Sequence, residues 1–219
     1  MESQERMLVF DYKRTRLLIG IIAFTLPFAV TIISWKPLTS ISTSYYTDAR
    51  DVLVGMLFIV GAFLFAYNGY TIWQSRASKI GSLAAVLIAL FPTNCDTCPL
   101  TFISIVHYCS ATTLFSILTY FCFGPFRKKA KAKNTTKAGR RIKIYVICGV
   151  IMIVCMLTMF ISNFLPKLEV ETLRIFYWAE AVALVAFGTA WMTASKVFPA
   201  FAEKEERLML FKKGVKAGS

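Results

Sequence analysis

Six side chains able to do acid–base or binding chemistry enter apolar stretches of the chain from one side: Arg50, Asp51, His107, Ser110, Tyr177 and Glu180. Ionisable groups inside apolar spans are costly and mark function by default. His107 is the only histidine, and it falls about 9 Å into its stretch at 1.5 Å per residue. Glu180 falls about 10 Å into its own by the same rise. Ser110 follows His107 by one helical turn and Tyr177 precedes Glu180 by one, so each pair shares a helix face. In an acid–base reaction His107 would be the general base or acid, with Glu180 or Asp51 orienting it. Arg50 would hold an anionic group. A buried Glu180 needs a proton or a cationic partner, and His107 and Arg50 are the partners expected at its depth. The same residues also suit a purely structural role as hydrogen bonds between helices.

The second constellation is Thr93-Asn94-Cys95-Asp96-Thr97-Cys98-Pro99. Its Cys95 and Cys98 have a C-x-x-C spacing. Pro99 suits the first position of a helix, and Thr97 or Asp96 suits its cap. Three readings fit the pair: a disulfide stapling the loop, a redox-active pair exchanging with a thiol partner or quinone, and part of a metal site. Zinc wants four ligands, and only His107 and Cys109 stand near enough to add to the pair. No metal and no cofactor is therefore expected. Cys122, Cys148 and Cys155 read as small buried hydrophobes.

The elements that must position these residues are transmembrane helices. Of 219 residues, 57% are hydrophobic and only 17% charged, which is far from a soluble domain's balance. The apolar runs are long and continuous rather than alternating, and helices are the continuous solution in lipid. They predict an all-α bundle of six spans, at about 17–35, 51–73, 77–92, 99–125, 142–165 and 173–195. Residues 1–16 form a segment before the bundle, 126–141 a basic flexible loop, and 196–219 a basic tail that is mildly amphipathic. The first run is too long for a signal peptide and has no A-x-A site.

The net charge of +13 would suggest nucleic acid in a soluble protein, but basic loops on one membrane face explain it better. Most of the 25 Lys and Arg fall on one side of the spans; the other side holds only Lys36, Arg50, Lys167 and Arg174. The positive-inside rule then puts both termini in the cytoplasm. The six residues above and the C-x-x-C face outward. Trp35, Tyr45 and Tyr46 suit an outer aromatic belt, and Tyr67, Tyr70 and Trp73 an inner one. Gly55, Gly61, Gly81, Ala85 and Gly149 suit close helix approach, and Pro27 should kink the first span. The expected partners are membrane lipids, with anionic head groups at the basic loop, a periplasmic thiol protein, and a second copy of the chain.

The pattern Tyr45-Tyr46-Thr47, Arg50-Asp51-Val52, Val54-Gly55, Phe91-Pro92-Thr93, His107-Tyr108, Glu180, Phe187-Gly188 and Trp191 resembles a group of bacterial multi-span inner-membrane proteins. The likeness covers most of the chain and implies the same membrane. Asp51, His107 and Ser110 are similar in type to the site of ceramidase and progestin-receptor-like membrane hydrolases. That family's zinc needs three histidines, and one is present here. The C-x-x-C is similar to that of the quinone-linked disulfide-bond oxidases and vitamin K epoxide reductase. That likeness implies a second cysteine pair as relay, for which only Cys109 is near. Together these features favour an outward polar pocket for a lipid head group or small periplasmic molecule, with thiol–disulfide exchange and a structural subunit as alternatives.

Overall fold

A computed structural model describes residues 12–69, 71–94, 99–164 and 173–208. Every regular element among them is helical. The long helices are α1 (Tyr12–Ser34), α2 (Arg50–Ala66), α3 (Ile72–Leu90) and α4 (Phe102–Phe121). After a π-helical turn, Cys122–Phe126, come the short α5 (Arg127–Lys131), then α6 (Thr136–Ser162) and α7 (Ile175–Ser195). Each long helix packs on its chain neighbour, α4 packs on α6, and α7 closes back on α1, so the six form a ring in sequence order. Four stretches are long and apolar enough to cross a membrane: Tyr12–Ser34, Phe102–Lys131, Thr136–Ser162 and Ile175–Ser195. α2 is apolar but has only 17 residues, and α3 carries Gln74, Arg76 and Lys79 in its first turns.

Two contacts set the ring's tightest approaches. At the α1–α7 crossing the backbones meet through Gly20 and Gly188. A Cβ on Gly188 would stand 2.7 Å from the Gly20 carbonyl oxygen and 2.7 Å from the Phe24 nitrogen. Between α2 and α3, the Ser82 hydroxyl donates to the Gly61 carbonyl at 2.7 Å and the Ser78 hydroxyl donates to that of Leu64. Small and hydroxyl residues do this work in lipid because there is no hydrophobic gain in pressing one apolar helix on another. Gly55, expected at such an approach, has nothing within 4 Å of where a Cβ would be.

Several boundaries differ from the sequence reading, each for a local reason. The span expected at 51–73 stops at Ala66, and Trp73 belongs to α3 instead. Gly69 turns the chain there at φ +64, and Thr71 caps α3 by accepting from the Gln74 N–H. α4 starts at Phe102 rather than Pro99, because Thr101 and Ser104 form a reciprocal capping box. The basic segment expected as a flexible loop is helical on both sides of a short turn, with Thr135 capping α6. Lys, Arg and Ala are good helix formers, so nothing local opposes this. α1 stays helical through Pro27 and begins at Tyr12, ahead of the basic residues expected to flank it.

Tyr67, expected in an inner belt, is fully buried. It forms with Phe121, Phe126, Phe187 and Trp191 an aromatic core at the basic end of the bundle, with ring centroids 5.4–5.7 Å from Trp191. Such edge-on packing suits the ring quadrupoles. Arg16 lies buried among them. Its guanidinium donates to the Tyr67 hydroxyl and to the Ala194 carbonyl, and sits 5.2 Å from the Tyr67 ring centre and 5.3 Å from that of Phe126. Distributed between a hydroxyl, a carbonyl and two ring faces, the charge has partners for its donors without water.

Beyond α7 the chain folds back across this end as a strap rather than trailing away. Ala202 and Leu208 are buried, and the Leu208 N–H donates to the Lys196 carbonyl. Glu206 is the strap's anchor, 2.9 Å from Lys196, 3.3 Å from Lys133 and 3.4 Å from the buried Arg141. Burial pushes its carboxyl up, but Lys196, Lys133 and Arg141 outweigh that and hold it down at about 2. A carboxylate depressed in the folded state stabilises it above the ordinary value of 4.5 and loses that contribution as pH falls toward 2. Amides of residues 201–208 should therefore exchange with deuterium at an unchanged protection factor from pH 7 down to about 5. Below that the protection should fall progressively, while Glu206→Gln should show reduced protection already at pH 7. Equal protection in the two proteins at pH 7 would remove Glu206 as the anchor.

Candidate functional site

The 35–49 connection between α1 and α2 does not loop away into solvent. It turns inward at Trp35, which has a left-handed φ of 51, and lies across the end of the ring opposite the aromatic core, with Leu38, Ile41, Ser44 and Ala49 buried. Its backbone is held from inside. The Arg174 Nε donates to the Leu38 carbonyl at 2.8 Å, and the Tyr177 N–H donates to the Thr39 carbonyl at 3.0 Å. The Ser42 N–H donates to Glu180 Oε2 at 2.9 Å, and the Ser42 hydroxyl donates to Glu180 Oε1 at 3.2 Å. The turn Ser42–Tyr46 that follows is 3-10 helical. Glu180 thus takes neither His107 nor Arg50 as partner. A main-chain N–H and a hydroxyl satisfy the two oxygens of this half-buried carboxyl.

Tyr177 joins the same arrangement. Its hydroxyl lies 3.0 Å from Thr31 Oγ1, and the Arg174 guanidinium covers its ring at 4.1 Å. His107 is separate, on α4 against the end of α3. Its Nδ1 lies 2.8 Å from the Phe91 carbonyl oxygen. A carbonyl only accepts, so Nδ1 carries the proton and Nε2 is the nitrogen left to accept or take up another. Its neighbour Tyr108 receives a hydrogen bond from the Thr93 hydroxyl at 3.1 Å, and Thr93 in turn accepts at its carbonyl from the Tyr46 hydroxyl at 2.6 Å. Ser110 is buried on α4. The six residues singled out from the sequence therefore fall into three groups: Tyr177 and Glu180 under the loop, His107 and Ser110 on α4, and Arg50 and Asp51 at the start of α2.

Of the six, Arg50 lines a cleft. That cleft, of about 440 Å³, opens at the same end between the close of α1 and the start of α2, and Ser34, Lys36, Tyr45, Tyr46, Thr47 and Asp48 complete its walls. Arg50 lies 5.6 Å from the Tyr45 ring centre. Asp51 points to solvent, 96% exposed, and its 3.8 Å approach to Arg50 is a weak surface pair. Trp35, 88% exposed, and Tyr46, 51% exposed, flank the opening in the manner of an interfacial belt. Two cations, two phenols and one carboxylate in a wet, accessible cleft can bind a charged group without a costly desolvation. Lys36, Tyr45, Thr47 and Asp48 were not singled out as binding residues. Their signal lay in the density of polar residues between two apolar runs, which reads equally as a plain loop.

Cys95 and Cys98 lie outside the described residues, as does Tyr70. Cys109, Cys122, Cys148 and Cys155 are free thiols. Among the described residues no group of three His, Cys, Asp or Glu is placed to hold a metal ion. Comparison with protein-family models, with characterised proteins and with solved structures finds no match to the chain.

Proposed function

We propose that this chain is a six-span membrane protein with both termini on the cytoplasmic side, and that it binds the phosphate-bearing head group of an outer-leaflet lipid in the cleft of Lys36, Tyr45, Tyr46 and Arg50. Crossing by α2 and α3 is supported by what they present outward. Phe58, Ile59 and Phe65 on α2, and Ile80, Leu83 and Leu90 on α3, are exposed, as are Ile32 on α1 and Ile147 and Phe160 on α6. An apolar girdle of that extent is stable only against lipid. The orientation rests on the uneven Lys and Arg distribution. Resemblance to bacterial inner-membrane proteins supports the plasma membrane as the setting.

One observation carries the binding reading: a doubly cationic cleft sits at the end of the bundle away from the basic one, on a loop whose main chain is held from within the bundle by Glu180. A head group would find its donors already placed, so little ordering cost opposes binding. In this reading Glu180, Tyr177 and His107 position backbone rather than touch the ligand. The test is equilibrium binding of a water-soluble short-chain phosphatidylglycerol to the purified protein. Each charge-assisted contact is worth about 1.5–3 kcal/mol, so Lys36→Gln and Arg50→Gln should each weaken binding by roughly tenfold or more. Asp51→Asn, a change at a solvent-facing neighbour, should leave the affinity within a factor of two or so of the parent. Unchanged affinity in both cation variants would eliminate this site.

A further inference from the structure

We infer a second lipid site at the opposite, basic end: a groove between α6 and α7 that takes one acyl chain of an anionic phospholipid of that leaflet, with Arg140 and Lys143 on its phosphate. The groove is formed by Ile144, Ile147 and Ile151 on α6 facing Val182, Val185 and Thr189 on α7, and encloses about 300 Å³. Each set repeats at three- and four-residue intervals and so lines one face of its helix. Cys148 and Ala186, both buried, make the floor. The one hydroxyl in the groove is already used, because Thr189 Oγ1 donates to the Val185 carbonyl at 2.8 Å. The interior is thus wholly apolar in its needs, while Ile147 and Val182 leave it open to the hydrocarbon at 57% and 44% exposure.

The occupant follows from the ends. Ile144 to Ile151 covers about 10 Å along the axis, a third of the hydrocarbon thickness, and begins about two turns after the start of its helix at Thr136, so an acyl chain entering from the basic end reaches it. Arg140 stands one turn before Ile144 and Lys143 one turn before Ile147, so both cations continue the groove's own stripe toward the membrane surface. Both are exposed. Their basic neighbours are engaged: Arg141 and Lys133 with Glu206, and Lys137 with Glu203 and the Ala202 carbonyl. Among the described residues, Arg140 and Lys143 have no hydrogen bond or ion pair. At its other end the stripe continues through Cys155 and Thr158 on α6 and Trp178 on α7, none of them charged. An apolar slot with cations at one end and none at the other matches a lipid with a single anionic head. This site is remote from the outer cleft and does not depend on it.

The test is native mass spectrometry of the full chain released from nanodiscs of equal parts phosphatidylglycerol and phosphatidylcholine. The parent for this test is the Lys36→Gln, Arg50→Gln protein, whose outer cleft is silenced, and it should retain one phosphatidylglycerol, preferred over phosphatidylcholine by roughly tenfold. Arg140→Gln with Lys143→Gln should lose that preference while retaining a lipid. Ile147→Trp with Val182→Trp, which fills the slot from two lipid-facing positions, should lose the retained lipid. Parental retention and preference in either inner-end variant would overturn the site, as would absence of head-group preference in the parent. Ile147→Cys gives an independent check on the occupant: efficient disulfide cross-linking between two copies in the nanodisc would assign the groove to a second chain and overturn the lipid.

Discussion

Gly188→Leu should separate α1 from α7 and lower the thermal midpoint of the detergent-solubilised protein by roughly 6–12 °C, the equivalent of about 3 kcal/mol for a chain of this size. The same change at Gly55 should leave the midpoint within a degree or two. The two glycines look alike in the sequence, each inside an apolar run. What differs is the opposing surface. At Gly188 a Cβ meets the Gly20 carbonyl, the Phe24 nitrogen and the Phe24 Cβ, all at 2.7 Å. Two of these are main-chain atoms, so no rotamer change relieves the clash and the helices must part. At Gly55 nothing lies within 4 Å. Circular dichroism melts of both variants decide the matter. If Gly188→Leu melts with the parent, the close α1–α7 crossing is wrong.

Glu180→Ala should release the 38–47 loop, raising its amide exchange rates in nanodiscs by about 100-fold, whereas Glu180→Gln should raise them less than about tenfold. Alanine removes both acceptors and leaves the Ser42 N–H without one. Glutamine keeps one carbonyl oxygen for that N–H, and the Ser42 hydroxyl can turn to accept from the new amide. Ligand affinity at the outer cleft should follow the loop: strongly reduced in the alanine variant, near parental in the glutamine one. This pair separates positioning from proton transfer. If Glu180 moved a proton, Glu180→Gln would abolish function with the loop still protected. Parental loop exchange in Glu180→Ala would show that Arg174 and Tyr177 suffice to hold the segment.

The helices themselves were legible because apolar runs of membrane length admit few other structures. Their ends were not, wherever a side chain's role depends on a distant partner. Arg16 reads as a flanking charge until Tyr67 and Phe126 are known to meet it, and Tyr67 reads as a belt residue for the same reason. The Asn68-Gly69 turn and the Thr71 and Thr101 caps were local signals that long apolar runs on either side concealed. For Glu180 the sequence suggests a cation, His107 or Arg50, and neither is its partner. Its partner is the main chain of Ser42, and a backbone N–H leaves no trace in residue types. The six polar residues were visible, but their division among three places followed from the order of the helices around the ring.

That order bears on how the protein is made. Arg16 and its carbonyl acceptor in Ala194 lie 178 residues apart, and the Gly20 notch is filled only by α7. When α1 leaves the ribosome, the helix that seats its arginine and covers its glycine has not been synthesised. Until α7 arrives, α1 presents a bare notch at Gly20 and its Arg16 lacks the Ala194 acceptor. A nascent chain stalled before α7 carries that defect as a recognisable mark, one that a membrane protease can read and a finished bundle no longer shows.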